Sequence, residues 1–420
     1  MKIIIAGAGI GGLTTALMLH ARGIRAEVYE QAPEVRELGV GINTLPHAIG
    51  ELSELGLLPA LDSVAVRTRE LIYLNRYGQE VWRELRGLYA GHPVPQFSIH
   101  RGQLQKAIYD AVIERLGPAS VRTGLRFSGF VQDEGGVTVH FTDAREGGSG
   151  LTVRGDALVC ADGIHSAGRR LFYPNEGAPS WDGVMLWRGA TDWPVFADGQ
   201  TMVISGGLGA KCVLYPIGPG TSEGRRLTNW AIGIKMADGA VSPPPKESWS
   251  RVGQLAEVLP YAKRFTVPGF DVEALVRATE RCFEYPMCDR DPLPRWTFGR
   301  VTLLGDAAHP MYPVGSNGAS QAILDARTLA DALQRAAHPM QALYEYEKLR
   351  LPRTAEIVRV NRKGGPEKVI DEVEKRAPAG FTDIDAVLSY DDRKAIVQGY
   401  AGITALRTVA PPSQAVVNTA

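Results

Sequence analysis

Two glycine-rich segments, one at the amino terminus and one in the last third of the chain, carry residues suited to binding a long phosphorylated ligand. The first is GAGIGG at residues 7–12, and the second is GDAAHP at residues 305–310. Closely spaced glycines let a backbone turn tightly and approach a pyrophosphate, and an aspartate after a strand can accept hydrogen bonds from ligand hydroxyls. A nicotinamide enzyme needs only the first segment, so the presence of both indicates FAD.

The first segment is embedded in a predicted β-α-β unit, with a strand over 2–6, a helix over 11–22 and a strand over 26–29. Gly7 permits the turn, Gly9 the approach to the pyrophosphate, and Gly12 close packing of the helix on the sheet. The Glu30 carboxylate can accept hydrogen bonds from both hydroxyls of the adenosine ribose. A purely structural glycine turn is the alternative. The predicted contacts with the adenosine half of FAD are Gly7, Gly9, Gly11, Gly12, Glu30 and Gln31.

The elements that must position these residues indicate an α/β fold. Apolar strands are predicted over 157–161 and 301–304, each ending at an aspartate-containing motif, and a long helix is predicted over 316–337. Alternating segments at 71–82, 184–193, 212–217 and 227–234 predict mostly antiparallel strands. We therefore expect a discontinuous FAD-binding domain (1–70, 98–182 and 284–365), an inserted β-sheet substrate domain (71–97 and 183–283) and a C-terminal helical tail (366–420).

Composition excludes several classes of protein. The 420 residues contain 46 Lys and Arg against 46 Asp and Glu, so no bulk charge attracts nucleic acid or an anionic membrane. The 4 cysteines form no CxxC pair, which predicts neither a metal site nor a disulfide framework and favours the cytoplasm. No apolar run reaches the roughly 18 residues of a membrane-spanning helix. A small-molecule ligand is therefore expected, bound by a monomer or homodimer.

A third motif, DGIHSAGR at residues 162–169, completes a resemblance to the single-component FAD-dependent aromatic hydroxylases with the para-hydroxybenzoate hydroxylase fold. The three motifs occur in that family's order, and the resemblance covers the chain to about residue 365. The branch that looks most similar is the phenazine-carboxylate hydroxylases, through segments 38–43, 98–102, 187–189 and 285–294. The sequence departs from that branch after Gly206 and in the C-terminal tail. The resemblance implies a Rossmann-like FAD-binding domain with an inserted substrate sheet.

The flavin half of the cofactor is expected near the second and third motifs. Asp306 follows a parallel strand, where a carboxylate can accept from a ribityl hydroxyl, although it could also cap a helix. The next helix would direct its amino-terminal amides at the flavin ring. Pro313 and Gly315 are expected to form the backbone wall near flavin C4a. The further predicted FAD contacts are Arg36, Gly41, Arg101, Asp162, Gly163, Gly318 and Ala319.

Some of these assignments have structural alternatives. A guanidinium fork fits phosphate, but Arg36 and Arg101 could instead form surface salt bridges. Asp162 is assigned to FAD and nicotinamide access only by the resemblance, and capping a helix is the alternative. His309 beside a flavin suggests acid–base chemistry, yet packing or tying a loop is at least as consistent with its position.

The resemblance implies that NADH or NADPH reduces FAD, that O2 adds at flavin C4a, and that the hydroperoxide hydroxylates an electron-rich aromatic carbon. Because the cofactor carries this chemistry, neither a catalytic triad nor a metal is expected. Each of the predicted substrate contacts could equally belong to the core, and adjacent strand residues point to opposite faces. These candidates are Leu45, Trp187, Arg188, Met202, Tyr215 and Trp230.

Three functions follow from these patterns. The first is a monooxygenase that hydroxylates a small bicyclic or tricyclic aromatic, with or without decarboxylation. The second is an FAD-dependent dehydrogenase or reductase of the same fold that inserts no oxygen. The third is a protein that sequesters an aromatic compound with vestigial flavin chemistry, although the intact motif residues speak against it.

Overall fold

The computed structural model of the chain describes residues 1–35, 39–144, 150–236 and 251–404. In chain order, its strands are β1 (Lys2–Ala6), β2 (Arg25–Tyr29), β3 (Gly41–Thr44), β4 (Val66–Arg67), β5 (Glu70–Leu74), β6 (Glu80–Leu85), β7 (Phe97–His100), β8 (Val121–Arg122), β9 (Leu125–Asp133), β10 (Gly136–Asp143), β11 (Leu151–Gly155), β12 (Ala157–Cys160), β13 (Ser180–Pro194), β14 (Thr201–Ser205), β15 (Ala210–Pro219), β16 (Arg225–Lys235), β17 (Cys282–Asp289) and β18 (Val301–Leu303).

The helices are α1 (Ile10–His20), α2 (Pro46–Glu54), α3 (Leu58–Asp62), α4 (Arg101–Leu116), α5 (Ala167–Phe172), α6 (Leu255–Ala262), α7 (Val272–Arg277), α8 (Gly318–Arg335), α9 (Pro339–Asn361), α10 (Lys368–Arg376), α11 (Ile384–Val387) and α12 (Tyr390–Thr404). Short 3-10 turns include Gly305–Ala307, Val314–Ser316 and Gly365–Glu367. None of the helices in the described ranges combines the length and apolarity needed to cross a membrane.

A parallel five-stranded sheet with the order β18-β12-β1-β2-β8 forms the centre of the first layer. Its central strands are continuous apolar runs because both faces are covered, one by α1, toward which Ile5 points, and the other by the three-stranded antiparallel sheet β11-β10-β9, toward which Ile4 points. Ile3, Ile4 and Ile5 are completely buried. Strands β1, β12 and β18 are neighbours, so the three motifs that follow them meet at one edge of the sheet. The strands predicted from the sequence over 2–6, 26–29, 157–161 and 301–304 are confirmed to within a residue.

A second sheet of seven strands has the order β17-β13-β16-β15-β14-β5-β6, and only its β14–β5 pair is parallel. Helices α6 and α7 pack on one face through an apolar cluster. On the other face, helices α10 and α12 cover the β5, β14 and β15 part of the sheet. The sheet draws its strands from 70–85, 180–235 and 282–289, so three of them run past the predicted domain boundaries.

A small sheet, β3-β7-β4, lies between these two layers. Gly41 at the start of β3 touches the seven-stranded sheet, because a Cβ there would lie 2.6 Å from Cγ2 of Ile217. The Gly41 amide donates to Oδ1 of Asn229 over 2.8 Å. Glycine is therefore required at this position for the two layers to meet.

Candidate active site

The first glycine segment forms an open cradle at the amino terminus of α1. Gly7 has a φ of +108°, and a Cβ on Gly12 would lie 2.0 Å from the Gly7 carbonyl oxygen, so α1 packs directly on the turn. A Cβ on Gly9 would meet no atom of the described residues within 4 Å. The first turn of α1 has no acidic residue and no side-chain cap. Its amides are thus available to an anion.

Glu30 and Gln105 hold the cradle from two sides. One carboxylate oxygen of Glu30 accepts from the Ala8 amide over 2.7 Å, and the other accepts from the Ala32 amide over 2.8 Å. Nε2 of Gln105 on α4 donates to the Ala8 carbonyl over 2.8 Å, a long-range contact that no local sequence pattern predicts. Glu30 therefore lies at the cradle, as predicted. Gly11 instead packs toward Leu304, whose Cδ2 would be 2.8 Å from its Cβ.

Asp306 presents a carboxylate to the same edge of the sheet. Its side chain is exposed within a protein-lined space, and it makes no hydrogen bond with any residue of the described ranges. Desolvation by the surrounding protein raises the pKa of Asp306, whereas His309 and Arg101 lower it. The charges of Asp306 and Arg188 both act on Arg101, so these groups lie close together. Arg36, the other predicted phosphate ligand, lies outside the described residues.

A buried charge network supports the turn that carries Asp306. One oxygen of Asp325 accepts from Nε2 of His309 over 2.6 Å and from the Gly305 amide over 3.1 Å. The other oxygen accepts from Nε of Arg350 over 2.7 Å. Burial raises the pKa of Asp325, but the charges of His309 and Arg350 outweigh this effect and lower it to about 2. His309 therefore ties the loop, which is the structural alternative for this residue.

The segment of residues 312–317, here called the wall segment, leads into α8. Pro313 is exposed, and two consecutive residues, Gly315 and Ser316, have left-handed φ values of +65° and +57°. The amino terminus of α8 has neither a side-chain cap nor an acidic first turn, and a Cβ on Gly318 would meet nothing within 4 Å. The first-turn amides, including that of the half-buried Ala319, therefore resemble the open end of α1.

Asp162 caps a helix, the alternative left open by the sequence. It accepts from the Ser166 hydroxyl over 2.5 Å and from the amides of Ala167 and Gly168 over 2.7 and 3.3 Å. Both carboxylate oxygens are thus used within the motif. The adjacent Gly163 has a φ of +78° and open space at its Cβ position, so the backbone here remains accessible.

Arg188 is a charged group on the face of the seven-stranded sheet that looks toward the wall segment. It donates to the Tyr285 hydroxyl over 3.0 Å and to the Gly41 carbonyl, and its buried Nε has no partner among the described residues. Burial raises the pKa of Tyr215, and Arg188 opposes that effect. Tyr285 lines a cavity together with Pro313. Tyr285 was not among the predicted contacts, although its register opposite Leu186 places it on the Arg188 face.

Trp187 and Trp230 lie on the opposite face, which corrects their assignment to the substrate. They pack in the apolar cluster under α6 and α7, where Trp187 stacks on Tyr261 with ring centroids 5.8 Å apart. Nε1 of Trp230 donates to the Thr279 hydroxyl over 2.8 Å. The physical reason is strand alternation, because Arg188 occupies the other face.

The remaining predicted contacts divide between the site and the core. Met202 packs among apolar residues of α10 and α12, so it too is a core residue. The Leu45 amide donates to the Ser320 hydroxyl over 3.1 Å, which places Leu45 beside the first turn of α8. Gln31 is exposed near the end of β2. No group of His, Cys, Asp or Glu within the described ranges is arranged to hold a metal ion.

Comparison with known proteins gives matches over most of the chain. Residues 1–361 match the family described as FAD binding domain. A phenazine 1,6-dicarboxylic acid hydroxylase from Lysobacter antibioticus is 47% identical over 363 residues, which cover 86% of this chain and 89% of that protein. A 3-hydroxybenzoate 6-hydroxylase from Aquipseudomonas alcaligenes is 31% identical over 370 residues, covering 86% and 88%.

A solved structure extends the similarity to the fold of almost the whole chain. A variant of HpxO from Klebsiella pneumoniae, complexed with FAD, superposes with a TM-score of 0.75 and 25% identity, and the match covers 96% of this chain and 98% of that one. The open cradle, the unpaired Asp306 carboxylate and the uncapped α8 terminus are three features that suit a long dinucleotide with a polar ring edge.

Proposed function

Because this chain belongs to the FAD binding domain family and is, like its relatives, an FAD-dependent aromatic monooxygenase, we propose that its substrate is a fused-ring aromatic carboxylic acid held by Arg188. Of the three functions considered from the sequence, hydroxylation is the one in the names of these relatives. The reaction uses O2 and a reduced nicotinamide. The oxygen-transfer chemistry would be supplied by bound FAD.

The observation that carries the proposal is the uncompensated charge of Arg188. It donates to the Tyr285 hydroxyl and the Gly41 carbonyl and also interacts with the Tyr215 hydroxyl, whereas within the described residues its Nε has no partner and no carboxylate pairs with it. A buried guanidinium without an anion is costly, and the fork geometry fits a carboxylate. A substrate carboxylate would satisfy Nε and balance the charge.

The size of the proposed substrate comes from the relative with 47% identity, which is named for a phenazine dicarboxylic acid. A small cavity is lined by Ile164, Met287, Pro313 and Tyr285, the residue whose hydroxyl accepts from Arg188. These side chains would offer apolar and aromatic surface to a planar ring system. With its carboxylate on Arg188, a ring of this kind would extend toward Pro313. These side chains would also exclude water from the reacting carbon.

FAD would lie across the carboxyl ends of β1, β12 and β18. The adenosine half fits at Glu30, and the pyrophosphate fits the amides of α1 with Arg101 beside it. Asp306 would accept a hydrogen bond from the ribityl chain. Pro313, Gly315 and the first-turn amides at Gly318 and Ala319 would face the flavin ring, where the helix dipole stabilises negative charge on the reduced cofactor.

We also propose a cytoplasmic location and a monomer or homodimer. Within the described residues no disulfide joins any of the four cysteines, Cys160, Cys212, Cys282 and Cys288, which suits a reducing compartment. The balanced charge of the chain favours a small-molecule substrate over nucleic acid.

The test compares acids with their neutral analogues. Purified FAD-bound enzyme is assayed for NADH and NADPH oxidation and for product mass with phenazine, quinoline and benzene carboxylic acids and the matching carboxamides. A charge-assisted hydrogen bond contributes about 1.5–3 kcal/mol, so we expect kcat/KM to favour the acids by about 10- to 150-fold. Arg188→Gln should abolish that preference while FAD content stays unchanged.

Arg83→Gln is the matched control, because Arg83 lies on β6 of the same sheet with a 46% exposed side chain paired to surface carboxylates. It should leave the acid preference intact. Equal kcat/KM for acids and carboxamides in the wild-type enzyme would contradict the role of Arg188. A product that has gained one oxygen atom, or has exchanged its carboxyl group for a hydroxyl, identifies the reaction.

A further inference from the structure

Three side-chain hydrogen bonds fix the backbone of the wall segment, two from helices α9 and α12 and one from Asn317 at the end of the segment itself. The carbonyl oxygens of residues 312, 314 and 315 accept, respectively, from Nδ2 of Asn361 (3.0 Å), the hydroxyl of Tyr400 (3.1 Å) and Nδ2 of Asn317 (2.9 Å). These donors come from the end of α9, from α12 and from the residue before α8. The backbone that leads to Pro313 is therefore fixed by side chains rather than by a sheet or helix ladder.

The hydroxyl of Tyr400 is the centre of this network. It accepts from Nδ2 of Asn317 over 2.8 Å, and its single proton is shared between Oδ1 of Asn361 at 2.7 Å and the Val314 carbonyl. Tyr400 is 7% exposed, and burial raises its pKa, so the phenol keeps the proton that it donates. Loss of the hydroxyl would leave buried polar groups of three neighbours without this partner.

The ring of Tyr400 also explains the backbone of the wall segment. Gly315 has a φ of +65°, and a Cβ there would lie 2.4 Å from Cε1 of Tyr400. The ring thus occupies the volume that any side chain at residue 315 would need. Ser316, the next residue, holds a φ of +57°, a conformation that persists in a non-glycine residue only where the surroundings enforce it.

Tyr400 belongs to a part of the chain that the family match does not include. The match ends at residue 361, whereas α12 spans Tyr390–Thr404. This helix is anchored to the seven-stranded sheet through Val397, which packs in the same cluster as Met202. At its carboxyl end, the Thr404 carbonyl accepts from Nε2 of Gln321 in α8 over 3.2 Å. The helix α12 is therefore fixed to the sheet near its middle and to α8 at its carboxyl end.

We propose that Tyr400 is a positioning residue for hydroxylation, through which the C-terminal segment sets the place of Pro313 and of the α8 amino terminus against the flavin. The inference rests on the proposed function, because the contact between the wall segment and FAD is itself part of that proposal. Displacing a reacting group by about 1 Å can cost a large factor in rate. A loosened wall segment would therefore waste reduced nicotinamide without forming hydroxylated product.

The experiment compares Tyr400→Phe, which keeps the ring and removes the hydroxyl, with the wild-type enzyme. Three quantities are measured below the unfolding temperature: product formed per NAD(P)H oxidised, the absorption spectrum of the bound flavin with and without substrate, and FAD content. Losing a hydrogen bond worth about 0.5–1.5 kcal/mol predicts a two- to tenfold lower product yield per nicotinamide. The flavin bands should shift while FAD content stays within twofold.

Tyr390→Phe is the matched control, since Tyr390 lies on the same helix, is 54% exposed and packs on Trp82. It should match the wild type in all three measurements. Asn317→Ser removes the same link from the α8 side and should reproduce the lowered yield. If Tyr400→Phe does not fold, the product yield and flavin spectrum of Asn317→Ser test the positioning role instead.

The outcomes separate this inference from the proposed function. A wild-type yield and flavin spectrum in both Tyr400→Phe and Asn317→Ser would overturn the positioning role, even if their unfolding temperatures fell. If the wild-type enzyme hydroxylates none of the carboxylic acids, the proposed substrate class fails. The flavin spectra of the variants then still decide the role of Tyr400.

Discussion

Replacing Asp325 with asparagine should destabilise the protein strongly, because Asp325 is completely buried and serves three donors. One of its oxygens faces Arg350, and the other faces His309 and the Gly305 amide. An asparagine offers a single acceptor oxygen. In either orientation its NH2 group faces a donor, either the Arg350 guanidinium or the Gly305 amide.

Breaking a buried ion pair by neutralising one partner costs about 3–5 kcal/mol. Arg350 keeps its hydrogen bond to Oε1 of Gln321 at 2.6 Å, so we expect a loss near the lower value, about 3 kcal/mol. The depressed pKa of Asp325 gives a similar value for its contribution to the free energy of unfolding. Lowering it from 3.8 to about 2 corresponds to roughly 2–3 kcal/mol of stabilisation at neutral pH.

The pH dependence has a definite sign. Because the folded-state pKa is depressed, the contribution of Asp325 is fully present above its unfolded pKa of 3.8 and is lost as the pH falls toward 2. The difference in unfolding free energy between the wild type and Asp325→Asn should therefore narrow as the pH falls below about 4. This difference in free energy is measured by unfolding the FAD-free proteins in urea and monitoring their tryptophan fluorescence.

Asp331→Asn is the control on the same helix. Asp331 is 29% exposed and pairs with Arg22 and Arg327 near the surface, where such pairs contribute at most about 1 kcal/mol. If Asp325→Asn lowers the free energy of unfolding no more than Asp331→Asn does, the buried charge network does not stabilise the turn that carries Asp306. A second consequence should be weaker FAD binding by Asp325→Asn under conditions in which the variant is fully folded. The turn that carries Asp306 would have lost its hydrogen bonds to Asp325.

Three further substitutions address other parts of the site. Gly12→Ala should abolish FAD retention, because its Cβ would lie 2.0 Å from the Gly7 carbonyl and force α1 off the strand; FAD content after dialysis measures this. Asp306→Ala should weaken FAD binding by about 1.5–3 kcal/mol while the fold is kept, as titration of the apoprotein with FAD would show, and undiminished affinity would remove Asp306 from the cofactor site. Trp230→Phe should lower the unfolding temperature through the lost bond to Thr279 and leave the KM for the aromatic acid unchanged, whereas a raised KM would return Trp230 to the substrate pocket.

Much of the cofactor side of the fold was predictable because its signals are local. Gly7 and Gly12 are five residues apart in the sequence. Their close contact depends only on the strand β1 and the helix α1 that flank the turn. The strand preceding Asp306 is a continuous apolar run, which is typical of a central parallel strand. The meeting of the three motifs then follows from the neighbouring positions of β1, β12 and β18 in the sheet.

The substrate side was less predictable because both faces of its sheet are buried. Alternation shows that Trp187 and Arg188 point in opposite directions, but it does not show which direction leads to the ligand. The aromatic character of Trp187 suggested a substrate contact, whereas the structure packs that face of the strand against α6 and α7. The contact between Tyr400 and the wall segment spans more than 80 residues, and nothing local to either segment signals it.

The placement of Arg188 and Trp187 on opposite faces of β13 has a consequence for how substrate preference could change over evolution. Residues that hold the sheet to α6 and α7 alternate along the strand with residues on the face that carries Arg188. A substitution at a cavity-facing position therefore alters the ligand surface while its sequence neighbours keep the sheet anchored. The two tasks are interleaved in sequence and separated in space, so selection can act on one with little penalty in the other.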